Sequence, residues 1–275
     1  MKLGYTVWTW IIRLYEETHT WEPKSNRSKM DFEEAVRSIE HLEYESLECF
    51  NQIVDIYENA DDEFDRLIEK SGLSFDCIYI YITDDFEADK QNAEKCFRFM
   101  QRHHIPFANL QASPRPDAMT AQALDAEIEK MRIIGRLGKA YGVTVCVHPH
   151  LDTKIERESE IDRLAQLAAE DELSFTFDTA HIHAADMDIV TMLNRHADRI
   201  KYIHLKDIAD IKEMKATHFD RFRALGLGII DFTPIIDTLK KNRYNGILCV
   251  EMDNPAICNF ESAQQSRNHL KTLGL

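Results

Sequence analysis

Short apolar runs alternate along this chain with longer amphipathic stretches. The runs fall near Leu3–Thr9, Ser46–Phe50, Phe75–Ile82, Phe107–Gln111, Val143–His148, Ser174–Asp178, Ile200–Lys206 and Gly246–Glu251. Runs of this length predict buried strands. Between them the apolar period lengthens to that of a helix. Asp31-Phe32-Glu33-Glu34-Ala35-Val36 predicts one helix start with Asp31 as its N-cap. Ala121–Tyr141 predicts a long helix, with Ile128, Met131, Ile134 and Leu137 on one face and Gly142 as its stop. Glu158–Glu170, Met187–His196 and Thr233–Asn242 predict others. Strands alternating with helices specify a parallel sheet. Eight such repeats in 275 residues, with no linker between them, predict an α/β chain closed into a (β/α)8 TIM barrel, one domain over residues 1–275.

Several of these runs stop abruptly at a group that binds metals or moves protons. Val147-His148-Pro149-His150, Phe177-Asp178-Thr179-Ala180-His181, Tyr202-Ile203-His204-Leu205-Lys206-Asp207 and Val250-Glu251-Met252-Asp253 appear in that order. Barrel enzymes assemble their active sites at the C-terminal ends of the strands, so these residues are expected at one mouth. Asp178, His204 and Glu251 end consecutive predicted strands and are the leading metal ligands. A mixed carboxylate and imidazole set suits Mn²⁺, Zn²⁺, Co²⁺ or Mg²⁺. The reading of the fifth strand leaves its contribution open among His148, His150 and Glu156. Histidines not taken by the metal are expected to bond substrate hydroxyls. His181 either orients a ligand or touches substrate. Lys206, two residues past His204, is an acid/base candidate or an exposed ion-pair partner. Glu48 and Gln111 are candidate substrate contacts. Trp8 and Trp10, read as ending the first strand, offer an apolar wall to the pocket or pack in the core.

Two connections exceed what a minimal link requires, Trp10–Lys29 and Ile208–Ala224, and both are read as lids on the catalytic face. Gly226-x-Gly228-x-x-Asp231-Phe232 lacks the strand and helix context of a dinucleotide fingerprint. It reads as a tight loop into the last helix, with Thr233 as cap and Pro234 in the first turn. Neither a Walker lysine motif nor a Gly-x-Ser-x-Gly elbow occurs.

The charge narrows the partners. A formal net charge of −15 disfavours nucleic acid and anionic membrane surfaces, and no apolar run approaches the length of a membrane span. No signal peptide is read at the N-terminus, so a cytoplasmic location is expected. The six cysteines form no Cys-x-x-Cys pair and read as reduced, mostly buried thiols.

At these motifs the chain resembles the xylose isomerase-like TIM barrels, the sugar isomerase and epimerase superfamily that also includes endonuclease IV. It is most similar to the inosose dehydratase-like branch. The likeness rests on His148-Pro149-His150 with Glu156, Asp178-Thr179-x-His181, His204-Leu205-Lys206-Asp207, Gly226-x-Gly228-x-x-Asp231-Phe232 and Val250-Glu251-x-Asp253. It implies one divalent metal, with Mn²⁺ first and Co²⁺, Mg²⁺ or Zn²⁺ after it. The implied ligands are Asp178, His204, Glu251 and, in fourth place, Glu156, with His150 or His148 as alternatives. Many relatives carry Glu where this chain has Cys146. The implied activity is isomerisation, epimerisation or dehydration of a sugar or keto-polyol through α-proton abstraction and an enediolate, with keto-inositol dehydration as the specific form. Glu251 and Glu156 are the implied bases, with His150, His181 and Lys206 as proton shuttles. His148, His181, Glu48, Gln111 and Trp8 are the expected substrate contacts. Two other classes are weighed, an endonuclease IV-like repair enzyme and a silent sugar-binding barrel. The third and fourth strands lack the extra histidines that the repair chemistry needs. A homo-oligomer stays open.

Overall fold

The computed structural model describes residues 1–12, 26–210, 221–255 and 258–275. Eight parallel strands form its barrel: β1 (Lys2–Thr6), β2 (Ser46–Phe50), β3 (Ser74–Tyr81), β4 (Phe107–Gln111), β5 (Thr144–His148), β6 (Ser174–Asp178), β7 (Ile200–Leu205) and β10 (Ile247–Val250). Two short strands, β8 (Asp207–Ile208) and β9 (Phe222–Arg223), fall between the last two of these in sequence. The barrel closes in the order β1-β10-β7-β6-β5-β4-β3-β2. The expected (β/α)8 fold is borne out. Most of Trp10–Lys29 and Ile208–Ala224, read above as lids, lies outside the described residues. The chain divides into two compact units, Met1–Asp76 with His204–Leu275, and Cys77–Ile203.

In the first unit β1 is flanked by β10 and β2, in the registers Tyr5↔Val250 and Thr6↔Glu48. Asp76 fastens the starts of these strands, accepting from Ser46 Oγ at 2.7 Å and pairing with Lys2 Nζ at 2.9 Å. Helix α1 (Trp8–Ile11) follows β1 at once. The first strand is therefore shorter than expected, and Trp8 and Trp10 lie on a helix and not at a strand end. Trp10 is buried against Tyr5, while Trp8 stacks on Phe50 at 4.9 Å. Helix α2 (Asn26–His41) starts before Asp31, which is held inside it by Arg27 one turn earlier, so Asp31 is not its cap. Two helices follow β2, α3 (Gln52–Ile56) and α4 (Asp61–Ser71).

The second unit carries β3 to β6 in unbroken parallel register, Tyr79↔Asn109↔Cys146↔Ser174. Alternate residues on these strands meet inside it. Thr176 Oγ1 donates to Asn109, and Phe107 packs edge-on to Tyr202. Around them lie α5 (Phe86–Arg102), α6 (Ala121–Ala140), α7 (Glu158–Leu167), α8 (Thr179–Ala184) and α9 (Ile189–Arg195). Helix α6 follows the expected boundaries. Thr120 caps its first turn, and Gly142 (φ 76°) sits where its apolar period ends.

After β7, β8 pairs antiparallel with β9. The Gly226-x-Gly228 loop that follows wraps around one carboxylate. Asp207 Oδ2 accepts from Gly226 N and Gly228 N at 3.0 and 2.9 Å, while Oδ1 accepts from Ile208 N and Ile230 N at 2.9 and 3.1 Å. The motif thus binds a buried side chain of its own chain. Gly226 has φ 81°, and a Cβ on Gly228 would collide with Asp207 Oδ1. Helix α10 (Phe232–Lys241) is capped by Asp231, which accepts from Thr233 N, so the cap lies two residues earlier than expected. It is not the last helix, because α11 (Asn259–Thr272) closes the described chain.

Gly228→Ala should therefore destabilise the fold by roughly 1–3 kcal/mol through overpacking against a backbone-bound carboxylate. Gly72→Ala, at a left-handed position (φ 68°) with open space around it, carries the backbone strain alone and should cost less. Urea unfolding midpoints of the two variants check the order. Equal midpoints would contradict the crowded cradle.

Candidate metal centre

In the second unit the relevant strand ends belong to β4, β5 and β6. His148 is the last residue of β5 and is buried, as is Asp178 at the end of β6. His148 Nε2 lies 3.8 Å from Asp178 Oδ2. The other edge of the imidazole faces Tyr79, whose hydroxyl stands 3.3 Å from Nδ1. That hydroxyl donates its hydrogen to Gln111 Oε1 at 2.7 Å. Having given its one proton away, Tyr79 can only accept from His148. The Nδ1–H tautomer follows, and the Nε2 lone pair is left facing Asp178. Gln111 therefore holds Tyr79, and Tyr79 holds His148. Asp178 Oδ1 is engaged too, capping α8 through His181 N at 2.9 Å.

His150 and His181 stand beside this pair with ring centroids 3.8 Å apart. His181 is buried, and Leu151 N donates to its Nδ1 at 3.5 Å. His150 Nδ1 donates to Leu151 O at 2.7 Å, which leaves its Nε2 as an acceptor. Glu156 is placed differently. It pairs with Arg115 at 3.3 Å, and Arg115 also grips Glu160 and Thr153 O. This clamp pins the loop between β5 and α7.

In the first unit the strand ends carry a compact run of buried charges. His204 on β7 is fully buried. Its Nε2 lies 2.9 Å from Glu48 Oε2, and its Nδ1 lies 2.9 Å from Glu251 Oε2. Burial works against a charged imidazole. The carboxylates of Glu48 and Glu251 outweigh it, so the His204 pKa stands well above the ordinary value of 6.5. Lys206 is 1% exposed, which overturns the exposed ion-pair reading of this residue. Its ammonium lies 2.6 Å from Asp253, 3.4 Å from Glu251 and 4.1 Å from the centre of the Phe222 ring. The pattern Glu251-x-Asp253 thus places two acids on one lysine.

Each unit buries groups of types that bind metal ions, His148 and Asp178 in the second and His204 and Glu251 in the first. Two imidazoles and two carboxylates fit a divalent ion of borderline hardness. Glu48, His204 and Cys249 form a buried group of possible ligands wholly within the first unit.

A family model described as the xylose isomerase-like TIM barrel matches residues 33–273. The chain belongs to this family. Inosose dehydratase from Clostridium beijerinckii is 35% identical over 50% of this chain and 50% of its own length. The chain spans about half the length of the curated relatives it matches. Among solved structures, the probable 3-DHS dehydratase AsbF from Bacillus anthracis superposes with a TM-score of 0.78 at 16% identity, covering 98% of both chains. The IOLI protein, solved with a binding zinc atom, gives 0.78 at 13% identity and covers 99% of this chain and 98% of its own. At these identities the likeness establishes the fold. Within this xylose isomerase-like barrel, no helix among the described residues is long and apolar enough to cross a membrane.

Tyr79, Phe222 and the pairing of Asp253 with Lys206 are not singled out by the sequence. Tyr79 lies in an alternating Tyr79-Ile80-Tyr81 run, where one face must point inward, and that alternation is the available signal. The Phe222 contact joins positions far apart in sequence and carries no local signature.

Lys206→Met should leave Asp253 and Glu251 facing each other without their shared cation. Removing one partner of a buried pair typically costs roughly 3–5 kcal/mol. Urea unfolding of metal-free protein measures it, and a loss below about 1 kcal/mol, the range of a surface pair, would show that the lysine is not held as described.

Proposed function

We propose that this chain is a divalent-metal-dependent enzyme that moves a proton next to a carbonyl of a sugar or keto-polyol. The observation that carries the reading is the burial of His148 and Asp178 at strand ends of one unit and of His204 and Glu251 at strand ends of the other, with the Lys206 ammonium 3.4 Å from Glu251. Structural ion pairs are seldom sunk this deep, and perturbed, buried groups gather at functional sites. A divalent ion held by these four residues would supply Lewis-acid polarisation of a substrate carbonyl and its neighbouring oxygen.

The chain's own groups then divide the proton work. Glu251 faces both His204 and Lys206, so its carboxylate is the first candidate to take the α proton. Lys206, anchored by Asp253, is the nearby acid that can return a proton or assist departure of a hydroxyl. His150 keeps an acceptor nitrogen and His181 stacks against it, which suits bonds to polyol hydroxyls. Return of the proton at the same or the adjacent carbon of the enediolate gives epimerisation or isomerisation. Loss of a β-hydroxyl gives dehydration. Dehydration of a keto-inositol is the preferred specific form, since the matching curated relatives are inosose dehydratases. We also propose His148 as the fourth ligand in place of Glu156, because His148 is buried beside Asp178 with its tautomer set, whereas Glu156 is engaged by Arg115. Mn²⁺ is the preferred metal.

Mn²⁺ titrations of purified variants test the ligand set. Asp178→Ala and His148→Ala should lose tight binding, while Glu156→Gln should retain it within a few-fold. Retention by His148→Ala with loss in Glu156→Gln would reverse the assignment. For the chemistry, keto-inositol incubated with wild-type enzyme and Mn²⁺ in D₂O should exchange its α hydrogen, and Glu251→Gln resupplied with metal should not. Undiminished exchange in Glu251→Gln would remove it as the base.

A further inference from the structure

His204 is held at both ring nitrogens by carboxylates, and the two carboxylates are not equivalent. Glu251 lies at Nδ1 and is one of the metal ligands proposed above. Glu48 lies at Nε2, with its two oxygens 3.1 and 2.9 Å away, and is not among those ligands. A neutral imidazole has one lone pair and one N–H. The lone pair must serve the metal, so the hydrogen belongs on Nε2, the nitrogen that faces away from Glu251. We propose that Glu48 is a positioning residue of the metal centre. It accepts from His204 Nε2–H, fixes that tautomer and presents the Nδ1 lone pair on the Glu251 side. The inference rests on the reading that His204 binds the metal.

Three further observations support this role over a substrate contact. Glu48 is fully buried, so no polyol hydroxyl reaches it without displacing protein. Its backbone is clamped, since Thr6 lies in register with Glu48 and Val7 N donates to Glu48 O at 2.8 Å. Both carboxylate oxygens are near the same Nε2, which restricts the ring's rotation about its Cβ–Cγ bond. A carboxylate behind a ligating imidazole also raises its basicity and so its affinity for the ion. One rival arrangement exists on the same residues. Glu48, His204 and Cys249 each offer a ligand atom within 4.8 Å of the others, and there Glu48 would bind metal itself.

Mn²⁺ titration of wild type, Glu48→Gln, Glu48→Ala and Cys249→Ser, read by the electron paramagnetic resonance of free ion, separates these cases. Loss of such an outer carboxylate typically weakens binding by roughly 10–100-fold, which is expected for Glu48→Ala. Glu48→Gln keeps an oxygen for Nε2–H and should recover a large part of the affinity. Cys249→Ser should bind as wild type does. Nitrogen-15 NMR of the Zn²⁺ form should show a His204 Nε2–H signal, protected from solvent exchange in wild type and exposed to it in Glu48→Ala. That signal also decides the matter in Glu48→Gln should the alanine variant not fold. Wild-type affinity in Glu48→Ala overturns the inference. So does joint loss in Cys249→Ser and Glu48→Ala with a thiolate charge-transfer band in the Co²⁺ form, which would make Glu48 a ligand. Absence of metal binding by wild type would instead overturn the metal reading of the site, and this inference with it.

Discussion

Charges buried without water must be compensated within the fold, and this requirement shapes the strand ends of the first unit. Glu48, Glu251 and Asp253 face His204 and Lys206, with none of the five side chains more than 8% exposed. Burying such ions costs several kcal/mol each before their attraction is counted. Well-packed apolar residues would give the same barrel at no such cost. The arrangement is therefore better explained by chemistry than by stability. It also accounts for the high pKa of His204, whose charged form is favoured by the two carboxylates despite its burial.

The strand ends of the second unit are ordered by neutral hydrogen bonds instead. Gln111, Tyr79 and His148 form a chain in which each proton has one place to go. The result is an imidazole lone pair directed at a carboxylate. The neighbouring loop is braced separately, by Arg115 on Glu156, Glu160 and Thr153. Glu156 takes part in that brace through its pair with Arg115. The Gly226-x-Gly228 loop is a related case. Its backbone amides resemble an anion cradle, and the anion they hold is Asp207.

The barrel is legible in the sequence because buried parallel strands are nearly continuous apolar runs and the chain supplies eight of them. Four start within one residue of their expected place and end where expected: Ser46–Phe50, Phe107–Gln111, Thr144–His148 and Ser174–Asp178. The first strand is overextended by sequence reasoning, since Val7-Trp8-Thr9-Trp10 has strong strand propensity while the chain turns into a helix there. The helix around Asp31 reads short because an aspartate before an apolar run looks like a cap, whereas Arg27 makes it an internal partner. The residues of the site are visible as polar punctuation at strand ends. Their division of labour is not, because it depends on which edge of a ring meets which oxygen. Nothing in the local sequence separates His148 from Glu156 as a donor, or places Glu48 behind His204.

The central question is which residues hold the ion, and an anomalous difference map from crystals grown with Mn²⁺ is its most direct test. One strong peak is expected at roughly 2.0–2.3 Å from His148 Nε2, His204 Nδ1 and oxygens of Asp178 and Glu251, distances usual for such nitrogen and oxygen ligands. A peak ligated by Glu156, a peak between Glu48 and Cys249, or no peak at the strand ends would contradict the assignment.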